Sequence, residues 1–190
     1  SHPPLCSPCN SSSFFFISNE DESLINDKIG GVILRCEHCF SLNPNKYYSQ
    51  VGNVYFSPYQ SAQYTIFLYY FSNTIWKESR DENLAAKLYY LNKIMNGCDL
   101  YYEVELPAFF MLDHPVGSVM GRAKYGNGFQ FGQNCTVGNN KGIYPIIGEN
   151  VRMCANTSII GNCHIGNNVV IGSNSGVKDE DIPDNSIVFG

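Results

Sequence analysis

From Val119 onward the large apolar residues recur every six positions. Val119, Tyr125, Phe131 and Val137 lead a first set of rows; Ile147, Met153, Ile159, Ile165 and Ile171 lead a second. The stretch Ile143-Tyr144-Pro145-Ile146 separates the two phases. Gly commonly follows the leading residue, Asn repeatedly holds the fourth place, and a small or β-branched residue usually holds the fifth. Self-similarity at a fixed period is the mark of a solenoid. The leader points inward and stacks on its counterpart one coil away. Gly and Asn supply turn conformations that other residues resist. Three such rows close one triangular coil of a parallel β-helix. A β-sandwich with Gly-rich turns would not hold this phasing.

Upstream of Pro107 the pattern is different. Residues 1–22 are rich in Ser, Pro and Asn and close in the acidic run Glu20-Asp21-Glu22, which suggests a loose or partly extended start. Residues 23–42 carry apolar positions at near-helical spacing, interrupted by Gly30-Gly31. Residues 43–60 are turn material. Residues 61–76 read as an apolar helix dense in aromatics. Ser79-Arg80-Asp81-Glu82 has the form of a capping box, opening a helix that continues through Leu84, Leu88, Leu91 and Ile94. Asn96-Gly97 closes it. The class is therefore α+β, with a mainly helical domain over 1–106 and a β-helix over 107–190.

Composition narrows the function. Only 15% of residues are charged and the net charge is −5, so no basic surface offers itself to nucleic acid or an anionic membrane. No apolar stretch is long enough for membrane insertion. The eight cysteines come without a visible secretory leader, which favours reduced thiols and a cytoplasmic setting. Cys135, Cys154 and Cys163 fall at small-residue positions of the repeat and read as small hydrophobes. Cys6, Cys9, Cys36 and Cys39 form two C-x-x-C pairs, the form of a Cys₄ zinc site. The gap between the pairs is long, neither pair is followed by a knuckle Gly, and Cys36 and Cys39 can share one helix face. No metal is expected.

The segment from Val104 through Leu112-Asp113-His114 to Gly121, with the repeats and the exit Asp181-Ile182-Pro183-Asp184-Asn185-Ser186, resembles the serine acetyltransferases and their relatives in polysaccharide gene clusters. The resemblance covers about residues 61–190. It implies a left-handed β-helix, and acetyl-CoA as donor, bound between subunits of a homotrimer, with a dimer of trimers left open. It implies that His114 is the general base on a hydroxyl, with Glu105 as its acidic partner. Asp113 matches an acid that contacts the acceptor and can share the supporting role. A neutral imidazole removing the hydroxyl proton during attack on the thioester is worth roughly 10²–10⁴ in rate. A carboxylate fixes the tautomer and steadies the imidazolium. By position, the pantetheine arm would run along Asn139, Ala155, Gly161 and Ser173. His38 and His164 read as structural.

One departure bears on the acceptor. Relatives that acetylate serine carry Arg-His before the loop Pro, and here Ile143-Tyr144 stands there. A guanidinium would clamp an amino acid's carboxylate, and Ile143 cannot. A sugar-like hydroxyl beside Tyr144 is the preferred expectation, ahead of serine O-acetylation. A trimeric β-helix acting only as a scaffold is the alternative from another class.

Overall fold

A computed structural model describes residues 16–50 and 53–190. Ser18 opens the first helix, α1 (Asn19–Ser41), through a capping box: its hydroxyl accepts from the Asp21 amide at 3.1 Å, and the Asp21 carboxylate accepts from the Ser18 amide at 2.9 Å. The acidic run expected to lie in a loose start is thus the helix's first turn, where carboxylates face the positive end of the helix dipole. Asp21 is buried and also takes Lys87 at 2.7 Å. That hydrogen bond is the main reason its carboxyl is held below the usual range. Gly30 and Gly31 do not interrupt α1. Both are exposed with nothing within 4 Å of where a Cβ would stand, while Val32, Cys36, Cys39 and Phe40 anchor the inner face.

Cys36 and Cys39 do share that buried face. Burial pushes the Cys36 thiol up to about 12, and Cys39 donates to the Phe110 carbonyl at 3.3 Å. Cys6 and Cys9 lie outside the described residues.

A short antiparallel hairpin, β1 (Ser49–Gln50) with β2 (Asn53–Val54), stands in the region read as turn. Helix α2 (Ser61–Thr74) is buried along most of its length and packs against α1 and against α3 (Glu82–Asn96). A π-helical turn, Ile75–Ser79, extends α2 and ends where Arg80 adopts φ 55°. Ser79 therefore belongs to the preceding helix, and the expected capping box does not form. Asp81 caps α3 instead, accepting from the Leu84 amide at 2.9 Å. Gly97, at φ 63°, closes α3 as expected. Among the described residues no helix is long and apolar enough to cross a membrane.

α2 also fixes the chain's path into the solenoid. Tyr69 donates to the Val104 carbonyl at 2.7 Å and accepts from the Leu106 amide at 2.9 Å. Tyr70 donates to the Ala108 carbonyl and Asn73 to the Tyr102 carbonyl. Each of these three buried side chains bonds backbone, so residues 102–108 are held in one orientation.

The solenoid has three parallel faces. The first is built from β4 (Phe110–Leu112), β7 (Phe129–Phe131), β10 (Arg152–Met153), β13 (Val170–Ile171) and β15 (Ile187–Val188). The second holds β3 (Asp99–Leu100), β5 (Val119–Met120), β8 (Thr136–Gly138), β11 (Ser158–Ile160) and β14 (Gly176–Lys178). The third holds β6 (Lys124–Tyr125), β9 (Ile146–Ile147) and β12 (His164–Ile165). Leaders stack in register, Phe131 on Met153 on Ile171 and Val137 on Ile159 on Val177. The first row is displaced by one. Met120 points inward opposite Val137, and Val119 is exposed. Parallel pairing begins at β3, ahead of the repeat itself. Cys135 and Cys163 are buried as expected, whereas Cys154 is only half-buried.

Candidate active site

Each corner between the first and second faces turns through a left-handed residue. Asn134, Asn156 and Asn174 hold φ 54°, 59° and 64°, a conformation that Asn tolerates. Their side-chain amides form a ladder, Asn134 to Asn156 at 2.9 Å and Asn156 to Asn174 at 3.1 Å. In the lower coils the inward residues flanking this corner, such as Phe131 and Val137, lie six positions apart; Leu112 and Met120 lie eight apart. The first coil thus carries an insertion here, and Asp113-His114 stands in it. Gly117 takes the place stacked on Asn134, leaving His114 as an additional left-handed residue at φ 52°. A non-glycine residue held there costs on the order of 1–3 kcal/mol, and such strain clusters at functional sites.

His114 is exposed, its side chain 87% accessible. Asp113 Oδ1 lies 3.8 Å from His114 Nε2, close but beyond hydrogen-bond length. Asp113 lines a groove of about 250 Å³ with Gln130, Gly132, Arg152, Cys154, Ala155 and Ser173. Two of the four expected cofactor positions, Ala155 and Ser173, therefore share a groove with Asp113.

Asn139 and Gly161 lie at another corner, between the second and third faces. There the extra residues, read from the sequence as Ile143-Tyr144-Pro145-Ile146, instead form a tight hairpin over 140–143, with Asn140 and Ile143 exchanging backbone hydrogen bonds at 3.0 Å. Lys141 and Gly142 at its tip have φ 51° and 82°, the signs a type I′ turn requires. The Asn139 amide donates to the Tyr144 hydroxyl at 3.4 Å, and Ile143 is half-exposed. Gly161 sits on Asp179, whose carboxylate takes the Asn162 amide at 2.9 Å and the Asn140 side chain at 2.5 Å. Those bonds, the backbone one foremost, hold Asp179 below the usual carboxylate range.

Glu105 is not brought to His114; its carboxylate pairs with Lys77 of the π-helical turn. The acid beside the lengthened corner is Asp99, which sequence reasoning passed over. Its strand β3 pairs with β5 in the register Asp99 to Val119, and it lines a hollow with Gly97, Gly117 and Ser118. Tyr89 and Lys93 hold its carboxylate at 2.9 and 2.6 Å. The one available signal was its place just after the Gly97 helix stop. His164, read as structural, pairs with Asp181 at 3.0 Å on the outer surface. A larger apolar cleft of about 470 Å³, lined by Ile29, Ile33, Phe40 and Phe67 among others, belongs to the helical layer and shares no residue with the Asp113 groove.

Comparison with known proteins agrees with this layout. The family model for the bacterial transferase hexapeptide, six repeats, matches residues 144–179. A crystal structure of the Neisseria gonorrhoeae serine acetyltransferase in complex with serine is similar over 90% of this chain and 70% of that one, at 27% identity and a TM-score of 0.68. The chain is similar to serine acetyltransferases and carries hexapeptide repeats. A second structure of the Neisseria enzyme superposes on this chain at a TM-score of 0.72 and 26% identity, over 88% of this chain and 67% of that one. The serine acetyltransferase of Staphylococcus epidermidis is 28% identical over 122 residues, 56% of this chain and 52% of the relative. The chain spans about half the length of the curated relatives it matches.

Proposed function

We propose that this protein is an acetyl-CoA-dependent O-acetyltransferase with His114 as general base. The observation that carries the reading is the insertion at the first coil corner, which presents Asp113-His114 beside a groove containing Ala155 and Ser173. In the proposed reaction the imidazole takes the acceptor's hydroxyl proton as that oxygen bonds to the thioester carbonyl carbon. Backbone amides of the coil turns stabilise the resulting oxyanion. The carbon–sulfur bond then breaks, and the imidazolium returns its proton to the departing thiolate. Asp113 shares the His114 turn and is the nearest support. Glu105 would contribute only once its pair with Lys77 opens, and Asp99 is an acid already beside the corner.

For the acceptor, similarity to a serine-bound enzyme favours serine or a close hydroxyl analogue. A sugar hydroxyl is the second reading, favoured by Ile143 and Tyr144 standing before Pro145. Asn139 and Gly161 face a different corner from Ala155 and Ser173, so one acetyl-CoA would contact both pairs most readily across neighbouring copies of a homotrimer. Six free cysteines among the described residues suit a cytoplasmic setting. Thiol release from acetyl-CoA with serine and with sugars tests the reading. Replacing His114 by Ala is expected to lower it roughly 10²–10⁴-fold with unchanged melting temperature. Unchanged transfer would remove His114 from the mechanism. No acetyl-CoA binding by the unaltered protein would leave the scaffold reading.

A further inference from the structure

Outward side chains on the first face run Met111, Gln130, Arg152 and Val170 across β4, β7, β10 and β13. Neighbouring strands lie about 4.8 Å apart, so Arg152 stands about 10 Å from Met111 along this row. Asp113 follows Met111 by two positions. Asp113, Gln130 and Arg152 line the groove already described and also a larger one of about 430 Å³, closed on its other side by Asn43, Pro44 and Asn45.

Arg152 differs from the other three arginines. Arg35 is bound to Thr74 and Asn73, Arg80 lies over the Trp76 ring, and Arg122 pairs with Glu103. Arg152 is exposed and, among the described residues, forms no ion pair and no side-chain hydrogen bond. An unpaired guanidinium keeps its planar fork free for a carboxylate or phosphate. Ala155 and Ser173 line only the smaller groove; the larger one lies on the Asp113 side, away from them.

We propose that Arg152 binds an oxyanion of the acceptor, with the acceptor in the larger groove between Arg152 and Asp113. This rests on the O-acetyltransferase reading. It supplies the anion contact that Ile143 cannot make. A hydroxy amino acid would place its carboxylate on Arg152 and its ammonium toward Asp113; a sugar phosphate would place its phosphate on the same guanidinium.

Titration calorimetry in the presence of CoA, with L-serine against serinamide and glucose 1-phosphate against glucose, reads binding without turnover. In one of the two pairs the anionic member is expected to bind about 10- to 100-fold more tightly, and that pair identifies the oxyanion. The advantage should vanish in Arg152→Met, survive in part in Arg152→Lys, and leave CoA affinity unchanged in both. Equal binding within both pairs, binding of none of the four, or an advantage that outlasts Arg152→Met would overturn the proposal. A fall in CoA affinity would instead assign Arg152 to the donor and overturn it equally. Acetyl transfer is followed separately. Discrimination without transfer would retain Arg152 as an anion contact and defeat the acetyltransferase reading alone.

Discussion

Two corners of the same β-helix depart from the six-residue repeat in different ways. At the first, between the first and second faces, the insertion exposes Asp113 and His114 above an amide ladder that runs on below them. At the other, between the second and third faces, a longer insertion folds back on itself as a hairpin and buries its cost in backbone hydrogen bonds. The repeat builds corners that are interchangeable, so side chains capable of chemistry collect where it is broken. The first corner offers an imidazole and a carboxylate beside open grooves. The second offers Tyr144 and Asn139 over a packed support of Gly161 and Asp179.

The largest effect that separates the corners is expected at Gly161. A Cβ there would stand 2.1 Å from Asp179 Oδ1 and 2.7 Å from Asn140 Cβ, at φ +84°. Gly161→Ala should destabilise by about 2–4 kcal/mol. Gly142→Ala, at φ +82° with open space around it, should cost about 1–2 kcal/mol. Equal losses in thermal melting would mean that the second corner is not a packed support. At the first corner, Asn156→Ala removes the middle rung of the ladder and forces Ala into φ 59°, an expected loss of about 1–2 kcal/mol by chemical denaturation. His114→Gly should instead leave stability unchanged or raise it by up to about 1 kcal/mol, because glycine relieves the left-handed strain. A loss as large as that of Asn156→Ala would make His114 a structural residue. The smallest test is chemical. Half-buried Cys154 lines the first groove, whereas buried Cys163 donates to the Ile160 carbonyl. Maleimide should label Cys154 and spare Cys163 in the folded protein, and CoA should slow the labelling. Mass spectrometry of the labelled peptides reads both.

The solenoid was legible because its period is imposed by stacking on identical neighbours: Phe131, Met153 and Ile171 occupy one column, and the sequence repeats accordingly. Legibility failed where that constraint stops. Val119 and Met120 are both apolar, and only pairing with β8 decides which faces inward. Strands β3 and β4 close a coil without Gly-Asn punctuation, since α2 rather than a neighbouring row fixes the chain between them. The first turn of α1 looked like a polar tail because an acidic cap and an acidic linker share a composition. The π-helical turn after α2 left no local trace, and it displaced the cap from Ser79 to Asp81. At the site, Asp113 and His114 were readable as neighbours in sequence. The fate of Glu105 was not, because Lys77 reaches it from a different element.

The central claim is that the first corner carries the chemistry. A crystal structure with CoA and serine bound tests it most directly. The account predicts the CoA sulfur and the serine hydroxyl within about 3.5 Å of the His114 imidazole, with pantetheine along Ala155 and Ser173. Cofactor and acceptor bound elsewhere, with His114 in solvent and Ala155 and Ser173 untouched, would contradict it.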